Sequence, residues 1–215
     1  MTAHSSLSLL FFFAAALVIA LTPGPGIFYV AARSLAGGRR EGLASSLGTG
    51  LGGLVHVAAG ALGASAILMA SAEAFAVLKL LGAGYLVYLG IRTWRSADTA
   101  VADLRVAPAG GRRAFRDGVV VEALNPKTAA FFLAFIPQFV DPAAHDFAAF
   151  ALHFAALGLI SVAMNTAVDV LVTLAAAAFR DRLARQPRLI RRLRQGAGGV
   201  LCGLGVSLAL AQRPS

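Results

Sequence analysis

The chain has 215 residues, 58% of them hydrophobic and 13% charged, with mean hydropathy +0.76 and a formal net charge of +9. A soluble domain carries about 25% charged residues, so this composition excludes a soluble globular protein and points to the bilayer. The single cysteine, Cys202, lies in an apolar stretch and excludes an intramolecular disulfide; it reads as packing.

A helix needs roughly 20 apolar residues to cross a bilayer, and on that count six spans are predicted: about 7–32, 43–71, 74–91, 118–140, 147–179 and 195–211. The first lacks the positive n-region of a secretory signal, because no Lys or Arg precedes Arg33, and it reads as a mature span. Between spans one and two lie Arg33, Arg39 and Arg40. Trp94, with Arg92 and Arg95, marks the edge of span three. Residues 92–117 form the longest polar connection, with Asp98, Arg105, Pro108, Gly110 and Gly111. In total, 16 of the 19 basic residues fall in the odd-numbered loops. By the positive-inside rule those loops are cytoplasmic and both termini lie on the other side. The basic charge therefore reports topology, and no nucleic-acid partner is expected.

The connection at 92–117 divides a single domain, 1–215, into halves of three spans, about 7–91 and 118–211. An odd number of spans per half makes the second half enter the membrane inverted, so the expected fold is all-α, six transmembrane helices in two inverted three-helix repeats. Helices 1 and 4 are each broken near the middle, at Pro23 in Thr22-Pro23-Gly24-Pro25-Gly26 and at Pro126 in Asn125-Pro126-Lys127. Thr22 and Asn125 are good N-caps, and proline fits the first helical turn, so Pro23 and Pro126 each read as the start of a half-helix. Backbone groups opened at such a break cannot face lipid and must line a cavity or a ligand.

Glycines 48, 52 and 60 in span two and 199 and 203 in span six have the spacing of close helix approach, either within the chain or at a homodimer seam. Residues 179–195 interleave arginines with Leu183, Leu189, Ile190 and Leu193. They read as an interfacial helix on an anionic leaflet or as a plain cytoplasmic loop, with Pro187 interrupting any single helix.

Ionisable residues inside spans are costly and become functional candidates. Glu122, Lys127 and Asp169 stand out. Lys127 is eleven residues past Arg116 and Asp169 eleven before Arg180, equal depths that allow an ion pair between spans four and five. That pair is either functional or a structural lock, and Glu122 lies either near Lys127 or at the membrane surface. Asn165 shares a helical face with Asp169. His56, midway along span two, is a proton shuttle or a hydrogen-bonding helix contact. Tyr29 reaches a cavity or packs in the core. No metal-ligand spacing, phosphate loop or nucleophile elbow is present.

The Thr22-Pro23-Gly24-Pro25 motif resembles the LysE/RhtB family of bacterial lysine and homoserine/threonine exporters. So do the small-residue second span with Gly48, Asn125-Pro126-Lys127, and the Phe-Ile-Pro-Gln-Phe-Val-Asp-Pro run at 135–142. The likeness extends from about residue 10 to 210. It implies efflux of amino acids or their derivatives across the inner membrane by proton antiport, without a cofactor or metal, and it carries the family's motif positions onto Thr22, Pro23, Gly24, Pro25, Asn125, Pro126 and Lys127. The residues point the same way: half-helix N-termini suit a substrate carboxylate, while Asp169 with Asn165 suits an ammonium group. Asp169, Glu122 and His56 are the proton-coupling candidates. The expected partners are a small-molecule substrate, protons and membrane lipid. The rival readings are a passive channel, which needs a polar ring one chain lacks, and a membrane-embedded lipid-handling protein, which needs a nucleophile or metal set.

Overall fold

The computed structural model describes residues 3–70, 72–95, 107–140, 146–178 and 187–210. Asp98, Arg105, Asp141, Pro142 and the 179–186 part of the arginine-rich segment lie outside the described residues. Among the described residues all regular structure is helical: α1 (Ala3–Leu21), α2 (Pro25–Ala70), α3 (Ala72–Arg95), α4 (Gly111–Ala123), α5 (Pro126–Ala130), α6 (Phe147–Ala178) and α7 (Pro187–Leu210). A π turn, Phe131–Phe135, and a 3-10 turn, Ile136–Phe139, continue α5. Pro137 has no N–H to donate to the carbonyl four residues back, and the widened and then tightened turns absorb the loss.

By length and apolar character, three helical stretches suffice to cross a membrane: Pro25–Gly63, Ala76–Arg95 and Phe147–Ala178. The α4–α5 pair, bent by 41° at its break, makes a fourth. Leu9–Leu21 and Gln195–Leu210 are shorter apolar helices.

The 46-residue α2 is not one rod. Gly38 leaves the helix with φ 69° and ψ −162°, a conformation that suits only glycine. The chain reverses there. Ser34 and Ser46 both reach the Thr173 hydroxyl, and a Cβ on Gly42 would strike the Ser34 hydroxyl. In a straight helix residues 34 and 42 would stand about 12 Å apart. The segment between the first two sequence-predicted spans is thus a one-residue reversal. The predicted polar connection 92–117 is also largely helical where described: α3 runs on to Arg95 and α4 already begins at Gly111. Pro187 begins α7, the point at which the sequence reading put an interruption, and proline at the first helical turn sacrifices no hydrogen bond.

Glycine sets the helix spacing. The second limb of α2 runs parallel to α4, with Gly48 against the Phe115 carbonyl and Gly52 against that of Val119. It runs antiparallel to α6, with Gly50 facing Thr166, Gly53 facing Val162 and Gly60 facing the Phe154 ring. These contacts lie within the chain. On α7, the close approach to α3 is made by Gly198 and Gly205 against Gly90 and Ala83 carbonyls, not by Gly199 and Gly203; Gly203 faces open space. Cys202 packs there, its thiol 3.5 Å from the Val87 carbonyl.

The core is aromatic. Phe12, Phe131, Phe132, Phe135, Phe150 and Phe154 are buried together, with Phe131 stacked on Phe135 and Phe132 edge-on to Phe154. Large apolar side chains on α1, α3 and α6 (Leu10, Phe11, Leu81, Leu152) face outward, as on a surface covered by lipid tails.

Candidate functional site

The two helix breaks meet. At the second, Asn125 caps α5: its side-chain oxygen accepts from the Lys127 N–H at 3.1 Å, its own carbonyl accepts from Ala129 N–H, and Pro126 takes the first helical position. At the first, the expected register shifts by two residues. The Thr22 hydroxyl turns back to the Val18 carbonyl at 2.6 Å, so Thr22 closes α1 and caps nothing ahead. Gly24 takes the capping position, its carbonyl accepting from Phe28 N–H, and Pro25, not Pro23, begins α2. Both prolines satisfy the helix-start rule, and only the one whose predecessor has the right carbonyl geometry is used.

The first break is met on both sides by charged side chains from the second half of the chain. The Lys127 ammonium donates to the Ile19 carbonyl at 3.1 Å and the Thr22 carbonyl at 2.9 Å, where α1 ends. Carbonyls at a helix C-terminus carry partial negative charge and call for a cation. Glu122 lies at the start of α2, so close that a Cβ on Gly26 would stand 2.6 Å from its carboxylate. A helix N-terminus calls for an anion. Glycine at 24 and 26 makes both approaches possible; a Cβ at 24 would lie 3.2 Å from the Lys127 stem.

Glu122 is fully buried, not a surface residue as one sequence reading had it. Its carboxylate accepts from Asn125 Nδ2 at 2.9 Å and Thr128 Oγ1 at 2.6 Å. His56 is buried, with Nε2 at 2.7 Å from the Glu122 carbonyl. A carbonyl only accepts, so His56 donates there as a helix contact. Asp169 is fully buried and accepts from Thr49 Oγ1 at 2.7 Å through Oδ2, while Oδ1 has no hydrogen-bond partner among the described residues. The expected Lys127–Asp169 ion pair is not made: equal depth put the two helices level, but the Lys127 nitrogen follows the α1 carbonyls instead. Tyr29 leaves the site to donate to the Ala114 carbonyl at 2.8 Å.

Between these groups runs a narrow cavity lined by Ile19, Ala20, Thr49, Gly50, Gly53, Glu122, Lys127, Thr128, Phe131, Phe132, Ser161, Val162 and Asn165. It offers about 20 Å³ to the centres of water-sized molecules, room for roughly one water. Asn165 lines it; Asp169 stands one turn further along α6, behind Thr49. Thr49 and Thr128, which hold the two carboxylates, were not singled out in the sequence. Nor was Glu41, whose carboxylate accepts from the Ala109 and Gly110 N–H groups and lies 3.8 Å from Arg33.

Two interrupted helices and buried charges around a narrow cavity, among helices with apolar outer faces, define a membrane protein with a small candidate site. The comparisons name the class more closely. The model of the LysE type translocator matches residues 17–212, and the chain belongs to that family of membrane efflux proteins. It is 32% identical over 197 residues to an uncharacterised membrane protein of Vibrio cholerae, covering 92% of this chain and 94% of that one. It is 30% identical over 200 residues to the homoserine/homoserine lactone efflux protein of Salmonella typhimurium, covering 91% and 92%. A leucine efflux protein of Salmonella choleraesuis is 28% identical over 129 residues, covering 59% and 60%. No solved structure matches the chain.

Proposed function

We propose that the chain is a secondary active exporter of neutral amino acids or their derivatives, working by proton antiport across the bacterial inner membrane. The observation that carries this reading is the pair of opposite charges set across the first break, with Lys127 on the α1 carbonyls and Glu122 at the α2 start. A zwitterion offers the same two charges. Its ammonium takes the Ile19 and Thr22 carbonyls, and Lys127, released, turns to its carboxylate. Thr22, Pro23, Gly24 and Pro25 shape one wall; Asn125, Pro126, Lys127 and Asn165 shape the other. Ile19, Phe131, Phe132 and Val162 leave an apolar place for the side chain, and the fixed Lys127 cation disfavours a substrate with a second positive charge. Homoserine and leucine, the substrates in the relatives' names, are of this kind.

Asp169 takes the coupling proton in this mechanism. It lies one turn from Asn165 and next to Thr49, both on the cavity wall, so its charge bears directly on whether a cation is held there. Glu122, with both oxygens already accepting, holds the breaks together; His56 fixes α2 to the α4 end. The present cavity admits about one water, whereas pockets that enclose small molecules span roughly 300–1,000 Å³. Transport therefore needs opening to either side in turn.

The opening follows from two inverted three-helix repeats and six spans. The Gly38 reversal divides Pro25–Gly63 into two limbs, and α1 with the first limb makes one broken span. The counterparts in such a repeat pack on each other: α2 on α6 and α3 on α7. The arginines at the Gly38 reversal and the α4 start face the cytoplasm, and both termini lie outside. The test is uptake by everted vesicles of labelled homoserine, leucine and lysine under an imposed pH gradient. Accumulation of the neutral compounds, collapsed by a protonophore and weak for lysine, is expected. Equilibration without accumulation would identify a channel and overturn the proposal.

A further inference from the structure

A second cluster lies beyond the cavity and takes no part in holding substrate. Ser34, Ser46 and Thr173 are fully buried, on the first limb of α2, its second limb and α6 respectively. The Ser34 and Ser46 hydroxyls each lie within reach of a carbonyl of their own helix, Val30 at 2.7 Å and Gly42 at 3.0 Å. Each also reaches the Thr173 hydroxyl, at 3.3 Å and 3.1 Å. Three helices thus converge on one hydroxyl. Isolated Ser or Thr residues in apolar helices satisfy themselves by back-bonding; here they also bond to each other.

The cluster's position gives it meaning. Thr173 is one turn along α6 from Asp169, on the same face, and Ser46 is one turn along α2 from Thr49, which donates to Asp169. Moving the other way, Ser34 is one turn from the Gly38 reversal, beside which Arg39 and Arg40 are exposed. The hydroxyls therefore fill the interval between the buried carboxylate and the arginine-rich end. Toward the opposite end the same α2–α6 contact is closed by Val57 on Gly158 and Phe154 on Gly60. Asp169 Oδ1, buried and without a hydrogen-bond partner among the described residues, is an acceptor with capacity to spare.

We propose that Thr173, Ser46 and Ser34 form the path by which Asp169 exchanges its proton with the arginine-rich face. This rests on the proton-antiport reading above. Residues 169 and 173 are separated by a helical rise of about 6 Å, a gap that one bridging water would close. Release proceeds by relay: the carboxyl O–H gives its proton to the water, the water passes one on to Thr173 Oγ1, and that hydroxyl passes its own to Ser46 or Ser34. Each hydroxyl accepts one proton on a lone pair and loses one, so the hydroxyls end neutral, Asp169 ends as a carboxylate, and the proton passes to bulk water at the arginine-rich face. On the elements around Asp169, Lys127 on α5 and Glu122 on α4 are charged and held by their own partners. The α2 helix also carries Arg33 and Glu41, 3.8 Å apart, with Arg39 and Arg40 exposed. On α4 stand Arg112 and Asp117, the latter paired with Arg113 and Arg116. The three hydroxyl residues are positioning residues; none touches the substrate cavity.

The test uses the full chain in proteoliposomes with leucine and homoserine as probes and two readouts: leucine- or homoserine-driven proton movement, followed by an internal pH dye, and exchange of labelled for unlabelled probe, which needs no net proton transfer. Thr173→Val keeps the shape and removes the hydroxyl. It is expected to slow proton-coupled movement by at least about tenfold while exchange stays within about twofold of wild type. Thr173→Ser should restore coupling, and Ser46→Ala should reproduce the defect in part. Wild-type proton movement in Thr173→Val would overturn the path while leaving antiport standing. Equal loss of both readouts in Thr173→Val and Thr173→Ser would also overturn it, as a packing role. If wild-type protein exchanges the probes but moves no protons, the antiport reading fails and the path falls with it.

Discussion

The contact between α2 and α6 is chemically two different things at its two ends. Toward the arginine-rich end it is built from Ser46, Thr49, Asp169 and Thr173, each hydrogen-bonded to a polar neighbour. Toward the other end it is built from Gly53, Val57, Gly60, Phe154, Gly158 and Val162, packed as apolar surface against glycine. The narrow cavity and the two helix breaks sit where one chemistry gives way to the other. On the proposed reading, the sealed aromatic half keeps protons and small solutes on one side of Phe131 and Phe132. If that reading holds, closure and recognition fall to separate regions: aromatic packing would shut the passage and buried polar groups would do the recognition.

The strongest way to break that division is at Lys127. Lys127→Ala removes the ammonium from the Ile19 and Thr22 carbonyls, leaving the Ile19 carbonyl only the Thr22 N–H. We expect transport per inserted molecule to fall by about 100-fold, as for a lost preorganised charge, checked by vesicle uptake normalised to inserted protein. Activity near wild type would remove Lys127 from the mechanism.

On the sealed side, Phe132→Ala removes a ring packed against His56 and Phe154. Truncating a buried aromatic costs about 3–5 kcal/mol, and here it also opens the cavity wall. We expect lower thermal stability in detergent together with a substrate leak that needs no pH gradient. Loss of stability without leak would mean that Phe132 packs but does not seal.

The smallest effect separates tight from loose helix contacts. Gly48→Ala drives a Cβ into the Phe115 carbonyl, an overpacking worth about 1–3 kcal/mol, whereas Gly203→Ala meets nothing within 4 Å and should stay within about 0.5 kcal/mol of wild type. Paired thermal unfolding of the two variants checks this.

Much of this arrangement was legible in the sequence. The break at Asn125-Pro126 could be read to the residue, since an Asn cap followed by proline has one reasonable register. The first break carries two prolines two apart, and local rules do not choose between Pro23 and Pro25. The choice falls to Thr22, whose hydroxyl prefers the helix behind it. Glu122, Lys127 and Asp169 stood out because charge in an apolar run is costly, but their partners depend on which helix ends face them. Lys127 therefore looked like a mate for Asp169 and instead serves α1. Ser34, Ser46, Thr49, Thr128 and Thr173 gave no signal, because a lone hydroxyl in an apolar helix normally satisfies itself. Glu41 was hidden among basic neighbours, and its partners, the Ala109 and Gly110 N–H groups, are 68 and 69 residues away.

The most direct test of the central claim, that Asp169 couples protons to substrate, compares wild type with Asp169→Asn in one proteoliposome preparation. Asparagine keeps the shape and the acceptor for Thr49 but cannot take up and release a proton in Asp169's place. The account predicts that labelled-leucine exchange persists while accumulation driven by the pH gradient is lost. Gradient-driven accumulation at the wild-type rate in Asp169→Asn would contradict it.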